Sequence, residues 1–167
     1  MSRHYLLDGY NIIKQTPGLA DLPLEEGRRA LLTWINSARP QGSAGNAVTV
    51  VFDGDPNVFG GMPGGSAQVI FTDTGSADDK IKDIVESSTD PKKFVVVSND
   101  KGITLYVRAL GAHTVSVQEF TGTAVKVSKS KTGVKNSGTN KALGKNISLT
   151  SEAKINKEFF KIWLKEE

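Results

Sequence analysis

Arg3-His4-Tyr5-Leu6-Leu7-Asp8-Gly9-Tyr10-Asn11-Ile12-Ile13 opens the chain and decides how the remainder is read. Tyr5, Leu6 and Leu7 form an apolar run too short for a helix, followed at once by a glycine turn, so they predict a buried strand. Asp8 stands where that strand stops. Ligands of open α/β sheets bind at the carboxyl ends of the strands. The device recurs: Val48 to Phe52 runs into Asp53-Gly54-Asp55, and Phe94 to Val97 runs into Ser98-Asn99-Asp100. Three such strands in one sheet would gather carboxylates along one edge.

Further elements alternate between these strands. Leu24 to Ala38 predicts a helix with Leu24, Leu31 and Ile35 on one face and Leu32 and Trp34 beside it. Pro40-Gln41-Gly42-Ser43 ends it. Residues 54–66 are rich in glycine and carry two prolines, so they predict no regular element. They form either a mobile loop over the site or a plain surface connection, and they lack the Gly-Lys-Ser/Thr ending of a phosphate-binding loop. Gln68 to Phe71 predicts a strand. Ser76 is placed to cap a helix from Ala77 to about Ser87, with Asp78 and Asp79 in its first turn and Ile81, Ile84 and Val85 on its apolar face. Phe94 to Val97 is continuously apolar, as a central parallel strand is. Lys101 to Leu110 predicts a helix closed by Gly111, and Thr114 to Val117 a last strand. Alternation of this kind predicts a parallel sheet with right-handed crossovers.

The character changes after residue 120. Residues 1–120 hold 11 basic and 14 acidic side chains, a net of −3. Residues 121–150 hold Lys126, Lys129, Lys131, Lys135, Lys141 and Lys145 with no acid, a net of +6. Residues 151–167 balance, and Ile155, Phe159, Ile162 and Trp163 lie at helical spacing behind a Ser151 cap. That stripe serves either to dock on the domain itself or to bind a partner. Three segments are expected: a domain at 1–120, a Lys-rich linker or RNA-contacting segment at 121–150, and an amphipathic helix at 151–167. An acidic body with a basic segment suits a protein that handles polyanions. The chain has no cysteine, hence no disulfide framework and no thiolate metal site. No apolar run approaches the roughly 20 residues of a membrane span, and no signal-peptide pattern opens the chain. A soluble cytoplasmic protein is the expectation.

The acids carry the chemistry. Carboxylates held together repel one another and bind protons more tightly. A hard cation such as Mg²⁺ or Mn²⁺ removes that conflict, taking carboxylates, waters and substrate phosphates as ligands. Such a site activates a water and clamps a phosphate, so hydrolysis of a phosphate ester is the implied reaction.

Four stretches then carry a resemblance. Leu7-Asp8-Gly9-Tyr10-Asn11-Ile12-Ile13, Val50-Val51-Phe52-Asp53-Gly54, Ser76-Ala77-Asp78 and Val97-Ser98-Asn99-Asp100 resemble, in order and separation, the motifs of the YacP-like branch of the NYN domains, within the PIN-like nuclease superfamily. Gly111-Ala112-His113 to Glu119-Phe120 is similar to that family's closing stretch. Asn99 departs from the pattern, which often has the serine and the acid adjacent. The resemblance implies a three-layer α/β/α PIN-like fold with strand order 3-2-1-4-5. It implies a Mg²⁺- or Mn²⁺-dependent endoribonuclease acting on single-stranded RNA. Asp8, Asp78 and Asp100 would be the metal ligands, and Asn11 would orient a ligand or a phosphate. Asp53, Asp79 and Ser98 would be supporting. Members of this branch are linked to cleavage on translating ribosomes, which adds the ribosome as a candidate partner.

Cations for RNA are sought in Lys126, Lys129, Lys131, Lys135, Lys141 and Lys145, and on the domain in Arg28, Arg29, Lys101 and Arg108. Tyr10, Phe59 and Tyr106 are candidates for stacking bases. Two alternatives stand beside the nuclease. One is a haloacid-dehalogenase-like phosphatase with Asp53 as nucleophile and Asp55 as general acid. The other is an RNA-binding adaptor without catalysis.

Overall fold

The computed structural model describes residues 1–54 and 65–122. Asp55, Phe59, the six lysines between 126 and 145 and the helix expected over 151–167 lie outside the described residues. The elements are β1 (His4–Asp8), α1 (Gly9–Gln15), α2 (Leu24–Ala38), β2 (Ala47–Asp53), β3 (Ala67–Thr72), α3 (Ala77–Glu86), β4 (Phe94–Val97), α4 (Lys101–Ala109) and β5 (His113–Val115). All four pairings are parallel, in the order β3-β2-β1-β4-β5.

Side-chain alternation along the strands splits the core in two. Leu7, Val50 and Phe52 face one side, where α1, α2 and Phe120 cover them. Leu6, Val51 and Val96 face the other, where α3 and α4 supply Ile81, Val85, Ile103 and Val107. Strands covered on both faces can be apolar at every position. Val50, Val51 and Phe52 are accordingly all without solvent exposure. The result is an α/β/α sandwich whose strand ends share one edge. Among the described residues no helix is long and apolar enough to cross a membrane.

Four details differ from the sequence-based expectations. Gly9 opens a helix instead of a turn. Asp8 caps it by accepting the Asn11 amide, and a Cβ at position 9 would collide with the Phe52 ring. Glycine is required there to let α1 lie on β2. Leu24, at the first position of α2, is exposed, and Gly27 and Ala30 take the buried places instead. β5 stops at Val115, and Val117 belongs to helical residues 117–122. Ser116 and Glu119 form the reciprocal cap that starts this turn: the Ser116 amide and hydroxyl both donate to Glu119 Oε2, and the Glu119 amide donates to Ser116 Oγ.

Arg28 is the fourth. It is 3% exposed, its Nε donates to the Leu24 carbonyl, and its guanidinium lies over the rings of Tyr10 and Phe52. Its long stem packs inward, so it is a core cation and not an RNA contact. Tyr10 likewise packs edge-on against Phe52. Tyr106 is on the surface, donating its hydroxyl to Glu86.

Candidate active site

Asp8 is both the last residue of β1 and the cap of α1. Its Oδ1 accepts the Asn11 amide at 3.1 Å, and only 6% of the residue is exposed. Burial is the main reason its carboxyl is pushed up to about 6, and the neighbouring carboxylates of Asp78 and Asp53 add to the shift. The Asn11 amide and Lys14 oppose it. A group in that state is poised to exchange its proton for another cation.

Asp53 ends β2, the strand beside β1. Its Oδ1 accepts the Ala77 amide, at the first position of α3, and the Thr72 hydroxyl at 3.5 Å. One strand-end acid thus anchors the start of the helix that carries the next. Asp78 follows directly. Its carboxyl is raised by partial burial first, then by Asp100, with Asp53 and Asp79 adding and Lys82 opposing. Asp79, one residue on, is exposed. It accepts the Ser76 hydroxyl at 3.0 Å and pairs loosely with Lys82 at 3.9 Å. Consecutive helical residues diverge by about 100°, which separates the roles of the two acids.

Asp100 caps α4, accepting the Ile103 amide at 3.1 Å. Ser98 is buried, and its Oγ accepts the Asp100 amide at 3.1 Å. Asn99 joins three segments. Its amide donates to Asn11 Oδ1 at 3.1 Å, its Oδ1 accepts the Val117 amide at 3.0 Å, and its Nδ2 donates to Gln118 Oε1 at 3.0 Å. The residue that breaks the family pattern therefore ties the end of β4 to α1 and to residues 117–122. This role had no signal in the sequence, because its partners lie 88 and 18 residues away.

At the carboxyl edge of the sheet Asp78 is within electrostatic reach of Asp8, Asp53 and Asp100, and Asp8 of Asp53. Among the described residues, no three acidic or histidine side chains are drawn together closely enough to hold a metal ion. The donor chemistry nonetheless fits a hard divalent ion: all donors are oxygens, and two carboxyls are raised by burial first and by neighbouring carboxylates second, a charge conflict that such an ion relieves. Of the domain's candidate RNA cations, Arg29, Lys101 and Arg108 are exposed.

The model of the YacP-like NYN domain matches residues 5–163 of the chain. The chain belongs to the YacP-like NYN domain family. NYN domains are nuclease-type domains that generally use divalent metals, and the family supports an RNA-cleaving role. A crystal structure of Rae1 (YacP) from Bacillus subtilis is 27% identical and superposes with a TM-score of 0.63, over 78% of each chain. A tryptophan-to-leucine variant of the same protein superposes with a TM-score of 0.61 at 23% identity, covering 96% of this chain and 99% of that one. The second likeness speaks for the fold alone. No curated protein matches the chain. Membership in the YacP-like NYN family leaves the phosphatase alternative without support. The strand order puts β1, which ends in Asp8, at the centre of the sheet.

Proposed function

We propose that this NYN domain is a metal-dependent endoribonuclease hydrolysing phosphodiester bonds of single-stranded RNA. The observation that carries the proposal is the shared edge, with the buried Asp8 carboxyl pushed up to about 6 beside Asp78 and Asp53. In this reading Asp8, Asp78 and Asp100 hold Mg²⁺ or Mn²⁺, which activates water and offsets charge on the phosphate. Asp53 positions Asp78 by anchoring the first residue of α3. Asn11 positions the approach to Asp100 by accepting the Asn99 amide. Ser98 fixes the Asp100 backbone, and Asp79 stays with the Ser76 cap. Residues 1–120 form the nuclease domain. Lys101 and Arg108, with Lys126, Lys129, Lys131 and Lys135 of the basic segment, supply cations for the RNA backbone. The ribosome is a candidate partner on family grounds.

Labelled single-stranded RNA incubated with the full chain in Mn²⁺ tests the proposal. Cleavage should appear in Mn²⁺ and vanish in chelator. Asp8→Asn should lower it by about 100-fold, the upper end of the loss that follows when the outer partners of a metal site are changed. Asp53→Asn should weaken it less. Cleavage that survives in chelator or in Asp8→Asn defeats the mechanism, and RNA binding without any cleavage in Mn²⁺ favours the adaptor.

A further inference from the structure

Asp8 and Asp53 end strands, but Asp78 stands inside α3, so its place depends on how that helix is joined to the sheet. The joint begins at Thr72, the last residue of β3, which lies opposite Asp53 in the pairing of β2 with β3. The Thr72 carbonyl accepts the Gly54 amide at 3.2 Å, closing the two strand ends against each other. Thr72 is only 8% exposed. Its hydroxyl donates to the Gly75 carbonyl at 3.2 Å, and the Phe52 carbonyl and Asp53 Oδ1 both stand at 3.5 Å. A hydroxyl has one proton, so the nearest acceptor, Gly75, takes the main share.

The turn from β3 to α3 is therefore tied at both ends to the same pair of residues. Thr72 holds its carbonyl side at Gly75, whose φ of 97° suits glycine. Asp53 holds its helical side through the Ala77 amide, one residue before Asp78. A threonine at a strand end is also explained by its β-branched shape, but valine would serve that purpose equally. The hydroxyl is what valine lacks, and a buried hydroxyl is costly unless it is bonded.

We infer that Thr72 is a positioning residue for the acidic site: its hydroxyl locks the turn before α3 onto the end of β2 and so sets where Asp78 stands relative to Asp53 and Asp8. The inference rests on the metal-site reading above, in which Asp78 is a ligand. Thr72 acts through Asp53 and Asp78 alone.

Thr72→Val, Thr72→Ala and Thr72→Ser in the full chain test it, with Thr49→Val as the control. Thr49 is a buried threonine near the opposite end of β2, and its hydroxyl contacts His4 and Gln68, so its loss measures general loosening of the sheet. In chelator, Thr72→Val should speed hydrogen exchange at the Ala77 amide by about 5-fold, the worth of one net hydrogen bond. Mn²⁺ affinity, read from the paramagnetic resonance signal of the free ion, should weaken by about 10-fold. The Mn²⁺ needed for half-maximal RNA cleavage should rise in step, while the rate at saturating Mn²⁺ changes far less. Thr72→Ala should behave as Thr72→Val, Thr72→Ser should recover the native values, and Thr49→Val should move none of them. Unchanged Ala77 exchange or native Mn²⁺ affinity in Thr72→Val, no recovery in Thr72→Ser, or an equal effect of Thr49→Val would overturn the inference. A native chain that takes up no Mn²⁺ would sink the nuclease reading instead. Ala77 exchange would then decide Thr72 by itself: faster in valine and recovered in serine upholds the lock, and unchanged in valine removes it.

Discussion

At the scale of single residues, Asp8 performs two tasks that pull against each other. It caps α1, which any small polar acceptor can do, and it keeps a buried negative charge beside other acids, which destabilises the metal-free fold. Its folded-state value near 6 lies above the ordinary 3.8. The native state therefore holds the proton more tightly than the unfolded chain. Stability contributed by the protonated form is fully present below about pH 4 and is lost as pH rises through 6. The loss is on the order of 3 kcal/mol at neutral pH. Asparagine caps as well as aspartate. Asp8→Asn should therefore raise the melting temperature at pH 7.5 in chelator, and the gain should vanish near pH 4. Mn²⁺ should stabilise the native chain and leave Asp8→Asn unmoved. Thermal unfolding across pH, with and without Mn²⁺, checks both, and a variant no more stable than the native chain at pH 7.5 would refute the assigned strain.

At the scale of elements, the site is assembled by hydrogen bonds between segments that are distant in sequence. Asp53 reaches from β2 to α3, Asn11 from α1 to Asn99, and Asn99 to the amide of Val117. Removing one partner leaves a partly buried amide unpaired, at about 1–3 kcal/mol. Asn99→Ala should lower stability by about that amount. It should also speed hydrogen exchange at Val117 and raise the Mn²⁺ concentration needed for cleavage by roughly 10-fold. Unchanged exchange at Val117 would show that the link is not what holds residues 117–122. Most elements were legible from patterning: α2 and β4 fall where the apolar spacing puts them, and α3 starts after Ser76 as its cap predicts. α1 was not legible, because seven residues beginning with glycine give no helical period. The end of β5 was misjudged because Val117 continues the apolar run, although Ser116 and Glu119 carry a readable capping signal.

At the scale of the whole molecule, charge is divided between an acidic body and a basic segment. The body's carboxylates repel RNA phosphates, so affinity should come chiefly from the lysines. Replacing Lys126, Lys129, Lys131, Lys135, Lys141 and Lys145 with glutamine should weaken single-stranded RNA binding. It should also flatten the slope of log K against log salt by about 4, the value for six phosphate contacts. Fluorescence anisotropy over a salt series measures this, and an unaltered slope would assign RNA binding to the domain alone. Cleavage of a saturating short RNA should change far less than its affinity, because the acids are untouched.

The order of strands and helices, and the identity of the acids that end the strands, were determined by the sequence itself. Apolar periodicity and capping residues are local properties, and they can be read along the chain. Which acids lie within reach of one another, that Arg28 turns into the core, and that Asn99 ties β4 to residues 117–122 were decided only by the tertiary structure. Those outcomes depend on sheet order, on which helix covers which face and on distances between residues far apart in the chain. Local patterning encodes none of these.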